Sequence, residues 1–253
     1  MALLGADDPD PVGAADLGAR SPFLLVCDHA GRAVPRRLGH LGLPEAAFET
    51  HIAIDLGAAA LTERLGAALA ATVIRQEYSR LVIDCNRAPG HAQSIAETSD
   101  GVVIPGNRAL ATAARQERRE AIHAPYHACI AKELDARRTR GLETVLVCVH
   151  SFTPVMDAFA RPWHVGVLHG GASPISDTLL TLLRDENGLV VGDNQPYAMD
   201  GTDYTAPHHG WGRGLDVVEL EVRQDLLAAS GGLETMASLF TRLLPAALGR
   251  TRR

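Results

Sequence analysis

The feature that most constrains the fold is the alternation of short apolar runs with longer stretches of helix-forming residues. Apolar runs predict strands at residues 23–27, 72–74, 81–83, 145–149, 165–168, 189–191 and 217–220, and composition predicts helices at 46–70, 108–139, 176–186 and 233–248. Several runs are continuously apolar, which is typical of strands buried on both faces of a parallel or mixed sheet. The pattern therefore predicts an α/β protein, a three-layer α/β/α sandwich around a mixed sheet.

Length and composition limit the number of domains and the class of protein. No composition break divides the 253 residues, so residues 21–253 are predicted to form one domain after a loosely ordered, acidic lead-in at 1–20. The 24 Lys and Arg against 30 Asp and Glu give a net charge of −6, which argues against nucleic-acid binding. No apolar run approaches the roughly 20 residues of a membrane span, and the N-terminus lacks the pattern of a signal peptide.

The cysteines bear on both the compartment and the type of metal site. Cys27, Cys85, Cys129 and Cys148 lie far apart, and three of them fall in apolar runs, as is typical of a reduced, cytoplasmic protein. They lack the close paired spacing of a structural zinc site. Any metal ligands are therefore expected among histidines and carboxylates.

Two histidines stand at the ends of predicted strands, where open α/β sheets bind their ligands. His29 follows the first strand and His150 the fourth, and Asp55 is predicted to open a helix close downstream of His29. His51 precedes Asp55 by one helical turn and is either the third ligand or a neighbour of it. A catalytic zinc takes three such ligands, although a helix cap or another satisfied polar group would explain any one of these residues alone.

Glu221 follows the last predicted strand and is the candidate general base. A glutamate at a strand end beside a metal can accept the proton of the attacking water in metal-assisted hydrolysis. The alternative is an ion pair with Arg223, and both can hold because residues 219, 221 and 223 share one face of a strand. Glu219 and Asp193 are the next candidates for the base.

Arginines beside the predicted site suggest an anionic substrate. Arg80 and Arg87 bracket the third predicted strand, and a guanidinium binds a carboxylate in planar, bidentate fashion. Arg223 is a further candidate for substrate binding. A solvated surface arginine is the ordinary alternative for each of them.

Motifs spread over residues 21–225 resemble the N-formylglutamate amidohydrolase family. They include Cys27-Asp28-His29-Ala30, His51-Ile52-Ala53 with Asp55 and Gly57-Ala58, the stretch 78–87 ending in Asp84-Cys85-Asn86-Arg87, Ser99-Asp100-Gly101, residues 104–107, Pro125-Tyr126-His127, His150-Ser151-Phe152-Thr153-Pro154, Arg161-Pro162-Trp163, residues 192–197, Asp203-Tyr204-Thr205 and Glu221-Val222-Arg223-Gln224-Asp225. The resemblance covers nearly the whole chain.

The resemblance implies a phosphorylase/hydrolase-like fold related to zinc carboxypeptidases, and hydrolysis of N-formyl-L-glutamate or a similar small N-acyl amino acid. It implies one Zn²⁺ or another divalent ion per chain, held by His29, Asp55 and His150, with Glu221 as the catalytic residue. Asn86 and Arg87 resemble the Asn-Arg pair that holds a substrate carboxylate in zinc carboxypeptidases.

One departure from the family pattern concerns the residues after His29. Gly31-Arg32 replaces the Ser-Asn pair usual in the family, which is expected to change the polarity beside the metal and leaves the acyl substrate open. Two other hypotheses remain: a zinc amidase or peptidase acting on another amide, and a non-catalytic protein that binds small carboxylates.

Overall fold

The computed structural model describes residues 2–199 and 201–252, and within them a seven-stranded sheet forms the centre of the molecule. The strands, with two short hairpins, are β1 (Val12–Ala15), β2 (Phe23–Cys27), β3 (Thr72–Gln76), β4 (Thr98–Ser99), β5 (Val102–Val103), β6 (Val145–Phe152), β7 (Val155–Met156), β8 (Phe159–Ala160), β9 (Val165–Leu168), β10 (Val191–Asp193) and β11 (Asp216–Arg223). The order across the sheet is β1-β3-β2-β6-β11-β9-β10, and the hairpins β4-β5 and β7-β8 stand apart from it.

The sheet is mixed, as predicted. β3, β2, β6 and β11 run parallel to one another, β1 is antiparallel to β3, and β9 is antiparallel to β11 while parallel to β10. Because β9 reverses direction, its carboxyl end faces the amino-terminal half of β11, and Leu168 pairs with Glu219. The carboxyl ends of β2, β3, β6 and β11 therefore meet at one edge, from which the end of β9 points away.

Helices cover both faces of the sheet and give the predicted three-layer α/β/α sandwich. They are α1 (Ala58–Leu69), α2 (Thr112–Arg118), α3 (Ala124–Thr139), α4 (Pro174–Arg184), α5 (Gln224–Ala228) and α6 (Gly232–Thr251), and a π-helical turn at Arg119–His123 joins α2 to α3. None of the described helices is long and apolar enough to cross a membrane.

Alternate strand residues enter two separate cores, which explains the continuously apolar runs. In β6, Val145, Val147 and Val149 pack with α1, α4 and α6, whereas Leu146 and Cys148 pack with α3 on the other side. Successive strand side chains point to opposite faces, so both faces of a central strand are buried and apolar. His150 continues the series that faces α3.

The N-terminal segment departs from the expected loose lead-in. Val12–Ala15 form the edge strand β1 on β3, and Leu3 is buried in the core on the α3 side. The segment therefore packs against the domain. Its pairing depends on the distant residues 73–76, which a local pattern cannot reveal.

The predicted strand at 81–83 is wrong, and the predicted helix at 46–70 begins too early. Leu81 and Val82 lie in a turn, where the Val82 amide donates to Ser79 O at 2.9 Å, and Ile83 follows it without regular secondary structure, although all three side chains are buried in the α3-side core. α1 begins only at Ala58, after Gly57 with φ +82°, where a Cβ would lie 2.7 Å from Leu227 Cβ. A left-handed residue in so little space interrupts the helix there.

Candidate active site

A cavity of about 540 Å³ opens at the edge where β2, β3, β6 and β11 end. Seven of the eight predicted site residues line it: His29, Asp55, Arg80, Asn86, Arg87, His150 and Glu221. A second cavity of about 680 Å³ lies between residues 83–97 and 112–119 and contains none of the predicted site residues. The predicted chemistry thus converges on one cavity.

Two imidazoles in this cavity share one carboxylate oxygen. Asp55 Oδ2 lies 3.2 Å from His29 Nδ1 and 2.9 Å from His150 Nδ1. The other nitrogen of each ring faces a different aspartate: His29 Nε2 is 2.7 Å from Asp84 Oδ1, and His150 Nε2 is 3.4 Å from Asp28 Oδ2. All five side chains are buried.

This arrangement fits a metal ion among His29, Asp55 and His150. One ligand atom from each lies within 4.8 Å of the others, and two imidazole nitrogens with one carboxylate oxygen form a donor set that suits zinc. A ligating histidine ordinarily donates its second N–H to a carboxylate, the role that Asp84 and Asp28 can fill here. His150 Nε2 and Asp28 Oδ2 are buried without a hydrogen-bond partner, so the group is incompletely satisfied by the described side chains alone.

The ionisation of the cluster follows from the same contacts. Burial opposes the charged form of Asp55, but the neighbouring imidazoles hold the pKa of its carboxyl below its usual range. Burial likewise opposes protonation of His150, yet its contacts with Asp28 and Asp55 raise the pKa of the imidazole well above its usual value. The carboxylates therefore favour a positive charge at this position.

Two glutamates of β11 line the cavity beside the cluster. Glu221 is the register partner of His150 in the parallel pair β6-β11, and Glu219 lies two residues earlier on the same face. Burial raises the pKa of Glu221 to about 8 and that of Glu219 well above its usual value, and one carboxylate oxygen of each is buried without a partner. A cation at the cluster would lower both pKa values again.

Arg80 forms ion pairs with two carboxylates of the cluster. Its guanidinium contacts Asp84 Oδ2 through Nη2 at 2.7 Å and Asp55 Oδ1 through Nη1 at 3.3 Å. The side chain therefore orients two aspartates that face His29, and less of it is available to a substrate than predicted.

The segment that carries Asn86 and Arg87 is held from several sides. Asn86 Oδ1 accepts the amides of Tyr204 and Thr205, and its Nδ2 donates to Asp203 Oδ1 at 3.0 Å. Arg87 Nη1 donates to Asp203 Oδ1 at 3.2 Å and to Asn86 O at 2.8 Å. Among the described residues, Arg87 Nε and Nη2 have no hydrogen-bond partner, so this part of the guanidinium is available to an anion.

Two histidines form hydrogen bonds to backbone carbonyls of the same segment. His127 Nε2 is 2.9 Å from Cys85 O and His123 Nε2 is 3.0 Å from Arg87 O, and because a carbonyl can only accept, both nitrogens carry a hydrogen. His127 Nδ1 then accepts from His209 Nε2 at 2.9 Å. Burial lowers the pKa of His127 to about 3 and that of His209 to about 4.

Other candidate residues lie outside the cluster. Arg223 does not line the cavity, because its guanidinium is bound to Asp225 and to the carbonyls of Arg161 and Trp163. His51 lines the cavity wall but pairs with Asp100 at 2.9 Å, outside the His29, Asp55 and His150 group. It therefore does not take the place of Asp55.

Two further predictions about the surroundings of the site do not agree with the structure: Asp193 as an alternative base, and Arg32 as a polar residue beside the metal. Asp193 lies away from the cavity and contacts His169 and Arg184, because β9 is antiparallel to β11. Arg32 is exposed and forms an ion pair with Glu49 outside the cavity. Gly31 is required for close packing, since a Cβ there would lie 1.9 Å from Glu77 O.

The sequence did not indicate the roles of the residues that orient the site. Asp28 and Asp84 each lie within one or two residues of a predicted strand end, but nothing in their spacing pairs them with His150 and His29. Asp203 comes from a segment more than 100 residues away from Asn86. A strand-end aspartate preceding a histidine is the only local signal that could have identified Asp28.

Comparisons with known proteins agree with this geometry. The N-formylglutamate amidohydrolase family matches residues 21–228. No curated protein sequence matches the chain. The crystal structure of gene product Atu2144 from Agrobacterium tumefaciens superposes with a TM-score of 0.96 at 33% identity, over 99% of this chain and 100% of that one.

A second solved structure, N-formylglutamate amidohydrolase from Ralstonia eutropha JMP134, superposes with a TM-score of 0.72 at 20% identity, over 96% of this chain and 99% of that one. This likeness supports the fold. The match to the family covers most of the chain and includes every residue of the His29, Asp55, His150 and Glu221 group. The chain therefore belongs to the N-formylglutamate amidohydrolase family.

Proposed function

We propose that the protein is a metal-dependent amidohydrolase that hydrolyses N-formyl-L-glutamate or a similar small N-acyl amino acid. The observation that carries the proposal is the position of Glu221, which is the register partner of His150 and has a buried, unpartnered carboxylate oxygen beside the His29, Asp55 and His150 group. A base and a metal-binding group on adjacent strands are the requirements of metal-assisted amide hydrolysis.

His29, Asp55 and His150 would hold the ion, which we propose to be zinc on the basis of the two nitrogen donors and one oxygen donor. When bound, a divalent cation supplies Lewis acidity, polarising the acyl carbonyl and acidifying water. Asp84 fixes the orientation of the His29 imidazole, and Asp28 faces His150 Nε2 at 3.4 Å. Arg80 in turn fixes Asp84 and Asp55.

Glu221 performs the proton transfers. Its carboxylate accepts a proton from the water whose oxygen attacks the acyl carbon, and the acid so formed returns that proton to the nitrogen as the C–N bond breaks. The products are the carboxylate of the acyl group, formate for an N-formyl substrate, and the free amino acid. A cation held by the group would lower the pKa that burial raises, so the carboxylate of Glu221 would be ionised and able to accept the first proton.

Arg87 supplies the contact for the substrate carboxylate. Its Nε and Nη2 lack partners among the described residues, whereas Asp203 and Asn86 O fix its Nη1. A carboxylate bound there is held in a fixed orientation, which positions the amide for attack.

The cysteines form no disulfide among the described residues, which supports a reducing, cytoplasmic location.

The test is formate release from a panel of N-formyl amino acids and their carboxamides, with metal content measured on the same preparation. We expect wild type to prefer the free acids strongly. Arg87→Lys keeps the charge but loses the planar fork, so it should lower kcat/KM about tenfold or more and abolish the preference. Metal-loaded wild type that releases formate from none of these substrates would contradict the proposed reaction, and equal hydrolysis of acids and carboxamides would contradict the role of Arg87.

A further inference from the structure

Arg161 is a buried cation without an acidic partner. The residue is only 8% exposed, and among the described side chains no carboxylate forms an ion pair with it. Its Nη1 donates to Thr153 O at 3.3 Å and to the Tyr197 hydroxyl at 3.1 Å, and its Nη2 lies 2.8 Å from Met156 Sδ. Burial of an unpaired guanidinium is costly, so the position of Arg161 calls for a reason other than stability.

The phenol that Arg161 contacts is a wall of the catalytic cavity. Tyr197 lines the cavity together with Glu221, and the guanidinium carbon lies 4.8 Å from the centre of its ring. Tyr197 as a whole is 38% exposed, but desolvation of its phenol, followed by the negative charge of Glu221, raises the pKa of the hydroxyl, which therefore keeps its proton. Tyr197, Glu221 and Asp55 line the same cavity, so the phenol shares it with the candidate base and the metal-binding group.

The hydroxyl has a free hydrogen. Its oxygen accepts the N–H of Arg161, and no described residue accepts the hydrogen in return. Since the N–H of Arg161 occupies a lone pair on the oxygen, the O–H bond must point away from the guanidinium. A neighbouring cation also makes the O–H a stronger donor, because hydrogen bonds in a chain polarise one another.

We propose that Tyr197 donates a hydrogen bond to the acyl oxygen of the substrate as negative charge develops there, and that Arg161 is the positioning residue that orients and polarises this hydroxyl. The inference rests on the proposed amide hydrolysis and adds a donor for its transition state. A donor aimed at an oxygen that becomes charged stabilises the transition state more than the ground state. Tyr197 thus acts mainly on kcat, whereas Arg87 acts on binding of the carboxylate.

The first test is Tyr197→Phe, which removes only the hydroxyl. Loss of one such donor should lower kcat about 10²-fold, with KM and metal content within about threefold of wild type. Tyr78→Phe is the matched control, because its hydroxyl bonds Pro9 O at 2.7 Å outside the cavity, and it should keep wild-type kcat. A Tyr197→Phe enzyme within threefold of wild-type kcat, or one changed only in KM, would overturn the proposal.

A binding measurement separates this role from a structural one. The ligand is a phosphonate analogue, in which tetrahedral phosphorus replaces the acyl carbon. Calorimetry should show that Tyr197→Phe lowers the affinity for this analogue by about the same factor by which it lowers kcat/KM. Binding of the free amino acid, which lacks the acyl oxygen, should be unchanged. Equal weakening of both ligands would assign Tyr197 to general packing and overturn the inference.

The role of Arg161 is tested through Tyr197. Arg161→Gln should lower kcat in wild type but have little further effect in Tyr197→Phe, because the guanidinium acts through the hydroxyl. Arg161→Lys should recover part of the loss, and it also serves where the glutamine variant does not fold. Full additivity of the two substitutions would overturn the positioning role. If wild type and Tyr197→Phe hydrolyse the substrate equally well, only the inference about Tyr197 is contradicted. If metal-loaded wild type is inactive, the proposed amide hydrolysis is contradicted as well.

Discussion

The neutral pair His127 and His209, which contacts the segment that carries Asn86 and Arg87, predicts how the free energy of unfolding depends on pH. His127 donates from Nε2 to Cys85 O and accepts at Nδ1 from His209, whose own Nδ1 is buried without a partner. A proton on His209 Nδ1 would therefore be a buried charge with no acceptor. Burial accordingly lowers the pKa of His209 from 6.5 to about 4.

The magnitude follows from proton linkage. Since the pKa is lower in the folded state, the unfolded chain takes up the proton first, so the stabilising contribution is complete above pH 6.5 and is lost as the pH falls toward 4. Between pH 7.5 and 5.0, an unfolded histidine of pKa 6.5 gains about 2 kcal/mol from protonation, whereas the folded His209 gains almost nothing. His209 alone should thus account for about 2 kcal/mol of lost unfolding free energy over this interval.

The perturbation is His209→Gln, which removes the titrating group while an amide N–H can still donate to His127. Urea denaturation at pH 7.5 and 5.0, with a chelator in both buffers, should show that the variant loses about 2 kcal/mol less stability than wild type between the two pH values. His40→Gln, which removes an exposed histidine elsewhere, serves as the control and should follow the wild-type curve. Equal losses in His209→Gln and wild type, within about 0.5 kcal/mol, would refute the assignment of a neutral, buried imidazole.

Three further predictions concern the cluster and the packing beside it. Glu221→Gln should retain the metal and the fold but lower kcat for formate release about 10²–10⁴-fold, because an amide cannot accept the proton of water, and activity within a few-fold of wild type would assign the base elsewhere. His29→Ala and His150→Ala should each lose the metal when measured by elemental analysis, and the ligand set is wrong if both retain it. Gly31→Ala should lower the free energy of unfolding by about 1–3 kcal/mol, because its Cβ would overlap Glu77 O, and an unchanged urea midpoint would contradict this packing argument.

The parts of the fold that could be predicted are those dictated by local burial. Phe23–Cys27 and Val165–Leu168 form strands with the predicted bounds, because a continuous apolar run between turns suits a strand covered on both faces. Residues 81–83 carry the same signal but are buried in a turn and the irregular residue after it, since burial alone does not specify the backbone conformation. The direction of β9 was also beyond the local pattern, which is why Asp193 was expected near the site.

Some residues of the candidate site could likewise be predicted from the local sequence pattern, and others could not. His29, His150 and Glu221 could be predicted to lie together, because each follows a predicted strand and the sheet brings the strand ends to one cavity. Tyr197 and Asp203 come from the segment between β10 and β11, where no periodicity relates a side chain to the sheet. Their positions depend on contacts with Arg161 and Asn86 that form only in the folded chain.

The parallel pairing of His150 with Glu221 has a consequence for how enzymes of this kind can diversify. Both residues lie in eight-residue strands at the centre of the sheet, so their relative position is fixed by backbone hydrogen bonds that an exchange of side chains elsewhere does not disturb. The groups that would contact the substrate, Arg87 and Tyr197, are carried instead by connecting loops. Loop exchange between relatives should therefore transfer substrate preference while leaving the hydrolytic machinery intact, so that new substrates can be acquired without the chemistry having to evolve again.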